Sequence, residues 1–326
     1  MILSVFNKKP LPHVVVFLGP HALINDYLAK AYVQQEQFKA CDQQVLDCQE
    51  EGLDELLAAL TESSLFSAQK VLLVKNPFFL TSKVPAAEKK NIKQLQTIFA
   101  HLPELNDVLL FEADYDKLDQ RKKLTKLLKQ AAEIVDLRLK PYQTGDFLRE
   151  LAKLEGYSFE AGAFKLLLER SDQVLETTLA NYKTLKAITE GKTISRATVS
   201  THIDLSLAQN VFAILEDDLH HNYQAALHRL DDQLRQGQTA VGLLAVFASQ
   251  LEMLVTIKTL AKRGRSPEQI THNLGVHPYR VKLALHNRYS LTKLKQMLLQ
   301  VSELDFGYKT GQYQNSVFLK NFLLGQ

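Results

Sequence analysis

Cysteine is scarce: the 326 residues hold two, Cys41 and Cys48. A structural zinc site takes about four ligands, and no second CxxC or His/Cys pair accompanies these two. They read as reduced thiols of a cytosolic protein, and neither metal nor cofactor is expected. A dominant charge is also missing. Lys and Arg number 39 against 36 Asp and Glu, a formal net charge of +3. That excess is too small to argue for a dedicated nucleic-acid binder. It lies towards the end of the chain, with net zero over 1–140, −1 over 141–210 and +4 over 211–326. No apolar run reaches the roughly 18 residues of a membrane-spanning helix. The start, MILSVFNKKPLPH, lacks the apolar stretch of a signal peptide, so a cytoplasmic location is expected. HExxH, GxSxG and a catalytic Cys–His signature are all absent, and nothing nominates a nucleophile.

What is present is alternation. Short β-rich runs occur at Val14–Leu18, Gln44–Leu46, Val71–Val74, Val108–Phe111 and Ile134–Leu137. Between them the pattern predicts helices at about 21–38, 52–60, 88–101 and 116–131. Continuous apolar strands separated by helices imply a parallel sheet buried on both faces. After Pro141 the strands stop. Amphipathic helices are predicted at 144–155, 158–170, 172–190 and near 195–203. Longer ones follow at 207–219, 222–235, 239–262, 266–274, 278–287, 290–304 and 315–324. The fold class is α/β plus all-α, divided as 1–140, 141–210 and 211–326.

A parallel sheet whose first strand ends in glycine raises the question of a phosphate loop. The sequence there is Phe17-Leu18-Gly19-Pro20-His21. A Walker A loop needs glycines whose amides cradle phosphates, a Lys for the β/γ charge and a Ser/Thr for Mg²⁺. This loop has one Gly, a Pro without an amide, and no Lys before Lys30. The third strand ends in Lys75-Asn76-Pro77 rather than in acids that would hold Mg²⁺. Nucleotide hydrolysis is not expected.

Three further stretches each carry two readings. Glu112, Asp114, Asp116 and Asp119, followed by Arg121-Lys122-Lys123, read as a metal cluster or as a solvated loop with acids at a helix N-terminus. Leu65 and Phe66 stand among Ser63, Ser64 and Ser67 on a connector. Such a pair either caps the core or forms an exposed tip for a partner's pocket. Residues 266–288 resemble a helix-turn-helix around Gly275, with Arg280, Lys282, His286 and Arg288 available. The pair reads DNA or is a plain packing unit.

Ordered landmarks then carry a resemblance. They are Phe17-Leu18-Gly19, Ser64-Leu65-Phe66, Lys70-Val71-Leu72-Leu73-Val74-Lys75-Asn76, Leu109-Leu110-Phe111-Glu112 and Lys117 to Lys123. The second half adds Ala226-Leu227, Gln250-Leu251, Leu274-Gly275-Val276-His277-Pro278-Tyr279, Asp305, Lys309 and Gly311. Together they resemble the delta subunit family of bacterial DNA polymerase III, over essentially the whole chain. Gly19 is followed here by Pro20-His21 where relatives often carry acids.

The resemblance implies an AAA+-like α/β domain (1–140), a helical lid (141–210) and a helical collar (211–326). It implies a non-catalytic subunit of a DNA polymerase holoenzyme that binds no ATP. Its partners would be the sliding clamp (beta subunit), the gamma/tau and delta prime subunits in a hetero-pentamer, and primed DNA through that complex. A Leu-Phe tip enters the clamp in this family, and it carries over onto Leu65 and Phe66, with Ser64 beside them. The alternatives are a helix-turn-helix DNA-binding regulator and a P-loop-like nucleotide-dependent enzyme.

Overall fold

The computed structural model describes residues 2–62, 69–276, 278–313 and 316–325. The chain divides into two compact units. The first comprises residues up to Leu139 together with Asp146–Tyr157. The second comprises Lys140–Gly145 and everything from Ser158 on.

The first unit holds a five-stranded, wholly parallel sheet. Its strands are β1 (Val14–Leu18), β2 (Asp42–Asp47), β3 (Lys70–Lys75), β4 (Val108–Ala113) and β5 (Glu133–Asp136), in the order β2-β3-β4-β1-β5. This is the AAA+-like sheet that the resemblance implied. The central strands β1, β3 and β4 are buried along nearly their whole length, as continuous Val/Leu runs require. The edge strands differ. β2 reads Asp-Gln-Gln-Val-Leu-Asp, and only its Leu46 is buried.

Alternation sorts the side chains of the central strands. Val14, Val16, Leu72, Val74, Leu109 and Phe111 point to one face. There they meet α2 (Gly52–Thr61), α3 (Lys89–Ala100) and α4 (Lys123–Ala131), through Leu56, Leu95, Phe99 and Leu128. Phe17 points the other way, edge-on to Tyr32 of α1 (Ala22–Val33) with centroids 6.2 Å apart. The unit closes with α5 (Thr144–Leu154), of which residues from Asp146 onward belong to it.

α4 begins at Lys123, seven residues later than the expected helix at 116–131. Residues before it are committed elsewhere: Asp119 donates its amide to the Leu80 carbonyl, and its carboxylate accepts from Arg121. The acids of this stretch therefore do not sit in the first turn of α4.

The second unit is helical but not free of strands. β6 (Ser158–Phe159) pairs in parallel with β7 (Thr193–Ile194), where continuous helix from 158 was expected. Two-residue strands are too short to leave a period-2 signal. Around them lie α6 (Ala163–Arg170), α7 (Leu175–Ile188) and α8 (Arg196–His202). Then come α9 (Leu207–Leu219), α10 (Tyr223–Arg235), α11 (Ala240–Lys262), α12 (Pro267–Leu274), α13 (Pro278–His286), α14 (Leu291–Lys309) and α15 (Val317–Leu324).

Ser195, Ser206, Thr239, Ser266 and Ser290 each accept a bond from an amide in the first turn of the helix they precede. Capping of this kind satisfies donors that have no partner within the helix. α11 is long and apolar enough to cross a membrane by length and composition. It is the central helix of this unit, with Leu244, Phe247, Leu251, Leu254 and Ile257 buried among its neighbours.

Candidate functional site

In open parallel sheets, ligands bind beyond the carboxyl ends of the strands. In the first unit these ends are β1 at Leu18, β3 at Lys75 and β4 at Ala113, with the start of α1 beside them. Gly19 follows β1 directly. Its amide donates to the Ala113 carbonyl at 3.2 Å. A Cβ on Gly19 would stand 2.8 Å from the Leu137 carbonyl oxygen. The glycine is needed because two backbone segments meet at that point. Pro20 brings no amide at all.

Charged side chains converge at these strand ends. Lys75 extends its ammonium to 2.7 Å from Asp26 Oδ1 and 3.5 Å from Glu112 Oε2. The second oxygen of Asp26 pairs with Lys30 at 2.8 Å. Asn25, wholly buried, donates through Nδ2 to the Gly19 carbonyl at 2.9 Å and to Asp114 Oδ1 at 2.6 Å. Asn76 has a left-handed backbone, with φ of 48°, and its Nδ2 donates to Asp47 Oδ2 at 2.7 Å.

The electrostatics follow from this crowding. Burial pushes the Glu112 carboxyl up to about 7; Lys75 opposes the shift, and the charges of Asp26 and Asp114 add to it. Burial also raises Asp114, against the bond from Asn25. Asp26 feels burial too, but the bonds from Lys30 and Lys75 outweigh it and hold it below the usual carboxylate range. Lys75 is thus a cation held between two carboxylates at the end of β3. Sequence inspection registers that the strand-three acids are missing. The convergence of Asp26, Lys75 and Glu112 from three elements becomes visible only in the structure. Among the described residues, no group of three His, Cys, Asp or Glu side chains is arranged to hold a metal ion.

Ser64, Leu65 and Phe66, the candidate partner-binding residues, lie outside the described residues. The two elements flanking them are well defined. α2 ends at Thr61 and β3 begins at Lys70. The Lys70 side chain is buried, and its ammonium donates to the carbonyls of Ala59 and Glu62. Its own amide donates to Asp107 Oδ1 at 3.0 Å. A lysine at the C-terminus of a helix satisfies carbonyls that have no partner and complements the helix dipole. Here one residue ties together the two ends of the connector carrying 63–68. Composition gives no signal of this role, because a Lys at a strand start ordinarily faces water.

In the second unit, the helix-turn-helix candidate is α12 and α13, joined through Gly275 in the left-handed conformation. Val281 and Ala284 are buried, as in a packing unit. Arg280 is turned back to Asp172 at 3.3 Å, which leaves Lys282, His286 and Arg288 exposed.

Comparison with known proteins agrees with this architecture. Residues 26–138 match the family model for the delta subunit of DNA polymerase III, and residues 208–326 match the model for the C-terminal domain of that subunit. The chain belongs to the DNA polymerase III delta subunit family. It is 29% identical to DNA polymerase III subunit delta of Bacillus subtilis (strain 168) over 285 residues, covering 86% of this chain and 82% of that one. The probable delta subunit of Aquifex aeolicus (strain VF5) is 23% identical over 332 residues, 98% of this chain and 92% of the relative. The solved structure of the Bacillus subtilis DNA clamp loader delta protein matches with a TM-score of 0.67 at 27% identity, covering 100% of this chain and 99% of that one. This delta-family chain therefore shares with that clamp loader protein both its sheet-bearing first unit and its helical remainder.

Proposed function

We propose that this chain is the clamp-opening subunit of a replicative clamp loader, and that it neither binds nor hydrolyses ATP. The observation that carries the reading is the Asp26–Lys75–Glu112 network, which occupies the carboxyl ends of the sheet in a member of the delta family. An AAA+-like domain with its nucleotide position filled by its own ion pairs serves as a lever, not a motor.

The function follows from linkage. A closed ring has intact interfaces, and a ligand opens it only by binding the open form better than the closed one. Delta holds the clamp open through Ser64, Leu65 and Phe66, and ATP-driven movements in the gamma/tau subunits govern its access. Residues 1–140 form the clamp-binding domain, 141–210 the lid and 211–326 the collar that joins gamma/tau and delta prime. Exposed apolar side chains support the last assignment. Leu299 and Phe306 lie two turns apart on α14 and are 61% and 70% exposed. Val317 and Leu324 repeat that spacing on α15. Exposed apolar surface of this kind marks a protein interface. A clamp loader subunit works in the cytoplasm, on primed DNA reached through the complex.

Equilibrium binding of labelled ATP to the purified chain tests the absence of nucleotide binding, with the expected result of no saturable binding at micromolar concentration. Saturable binding would favour the nucleotide-dependent enzyme instead. Tight duplex binding with a steep salt slope would favour the DNA-binding regulator.

A further inference from the structure

The second unit holds a cavity that the function proposed above does not use. It is bounded by the end of α6 and the turn after it, and by faces of α9, α11 and α13. Phe212, Met253, Leu254, Leu283 and Ala284 make its walls largely apolar. Its volume is about 110 Å³, and it is partly open to the surface. A closed apolar cavity of roughly 150 Å³ takes up benzene, so a single ring is the size of molecule this one admits.

The charged groups around the cavity are already engaged. Arg280 pairs with Asp172 at 3.3 Å, and Glu169 accepts from the Tyr279 hydroxyl. The side chain of Gln209, which also lines the cavity, is not settled in this way. Its Oε1 is cut off from solvent and has no hydrogen-bond partner among the described residues. A buried acceptor left in that state costs free energy. The terminal amide turns easily about its last bond, and the turn brings Oε1 to the cavity without breaking a bond that the oxygen now makes. The turn after α6 is also held at a cost. Asp172 and Gln173 are both left-handed, with φ of 51° and 57°, although glycine would end the helix there without penalty. Their side chains serve the cavity: Asp172 holds Arg280, and Gln173 is buried in the wall. Strained backbone of this kind clusters at ligand clamps.

We infer that this cavity binds a small neutral aromatic molecule of about the size of phenol, whose hydroxyl or N–H donates to Gln209 Oε1 while its ring lies among Phe212, Met253, Leu254 and Leu283. Apolar walls with a few placed polar groups are the usual form of a small-molecule site. The donor is needed because a bare hydrocarbon leaves Gln209 as unsatisfied as before. Neutrality follows from the ion pairs: an anion would meet the carboxylates of Glu169 and Asp172, and a cation would meet Arg280, each already balanced by its partner. A molecule seated there touches the 172–173 turn and three helices at once. Its test requires neither clamp nor partner subunits.

The chain has three methionines, and their methyl groups, labelled with carbon-13, report the site by NMR during titration of the full chain with phenol. Met253 lines the cavity, whereas Met297 is buried in the helical core and does not; Met253→Leu assigns the signal. The expected result is a saturable shift of the Met253 methyl with a Kd of about 1 mM or tighter, within reach of so small a ligand, while Met297 stays in place. Toluene has nearly the same shape without the donor. Gln209→Leu should weaken phenol about fivefold, the worth of one neutral hydrogen bond, and leave toluene no weaker. Ala208→Leu, which narrows the cavity, should abolish both. Benzoate should bind about tenfold more weakly than phenol, because its charge enters apolar walls. Melting curves check that each variant is folded, and the Met253 shift in the wild type needs no variant beyond its assignment. Any of five results overturns the site: no saturable Met253 shift at ten times the expected Kd, water alone then filling the cavity; a Met297 shift as large as that of Met253; phenol and toluene responding alike to Gln209→Leu; both binding unchanged in Ala208→Leu; or benzoate binding as tightly as phenol.

Discussion

Lys75 and Asp26, 49 positions apart in the sequence, meet at 2.7 Å at the carboxyl ends of the parallel sheet. Behind them lies Glu112, buried and pushed up to about 7. The three side chains form a structural joint between α1, β3 and β4.

That joint has a signature in pH. A carboxyl that titrates higher in the folded chain than its ordinary value of 4.5 binds its proton more tightly folded than unfolded. Its contribution to stability therefore falls as pH rises from about 4.5 to about 7, and is constant above. Glu112→Gln removes that loss. Relative to wild type, the variant should gain on the order of 3 kcal/mol between pH 4.5 and pH 8. Urea unfolding of both proteins at the two pH values measures the difference. A difference independent of pH would mean that Glu112 titrates normally.

The connector that carries the expected clamp contact has a buried anchor. Lys70→Met leaves the carbonyls of Ala59 and Glu62 without their ammonium donor. The cost should be about 1–3 kcal/mol in folding stability. Clamp affinity should also fall, by less than the effect of removing the tip itself. Denaturant unfolding and clamp titration on one preparation give both quantities. Unchanged stability would show that water replaces the ammonium.

Much of this was legible in the sequence because the signals are local. The Val-rich run at 14–18 becomes β1 residue for residue. The Ser266-Pro267-Glu268-Gln269 start becomes a full capping box at α12. β6 and β7 escaped because two residues carry no period. The start of α4 was misread because the tertiary bond from the Asp119 amide to Leu80 overrides local helical propensity. The candidate site divides in the same way. Missing phosphate-loop chemistry can be read from Gly19-Pro20-His21 alone. The Lys75 joint and the Lys70 anchor depend on partners 8 to 49 residues distant, and no pattern within one element encodes them.

Assembly through the C-terminal helices makes a separate demand. Leu299→Glu with Phe306→Glu alters two side chains that are mostly in water, so the melting temperature should change by no more than about 2 °C. Co-elution with the gamma/tau and delta prime subunits in size-exclusion chromatography should be lost. Normal assembly by this variant would remove the α14 face from the collar interface.

The central claim rests on Leu65 and Phe66, and the most direct measurement is clamp affinity alongside melting temperature for wild type and Leu65→Ala/Phe66→Ala. Burying each side chain in a partner pocket is worth roughly 1.5–3 kcal/mol. The account predicts a loss of clamp affinity of about two to four orders of magnitude, with the melting temperature almost unchanged. A variant that melts much earlier but binds the clamp as tightly per folded molecule would contradict it, because the two side chains would then belong to the core.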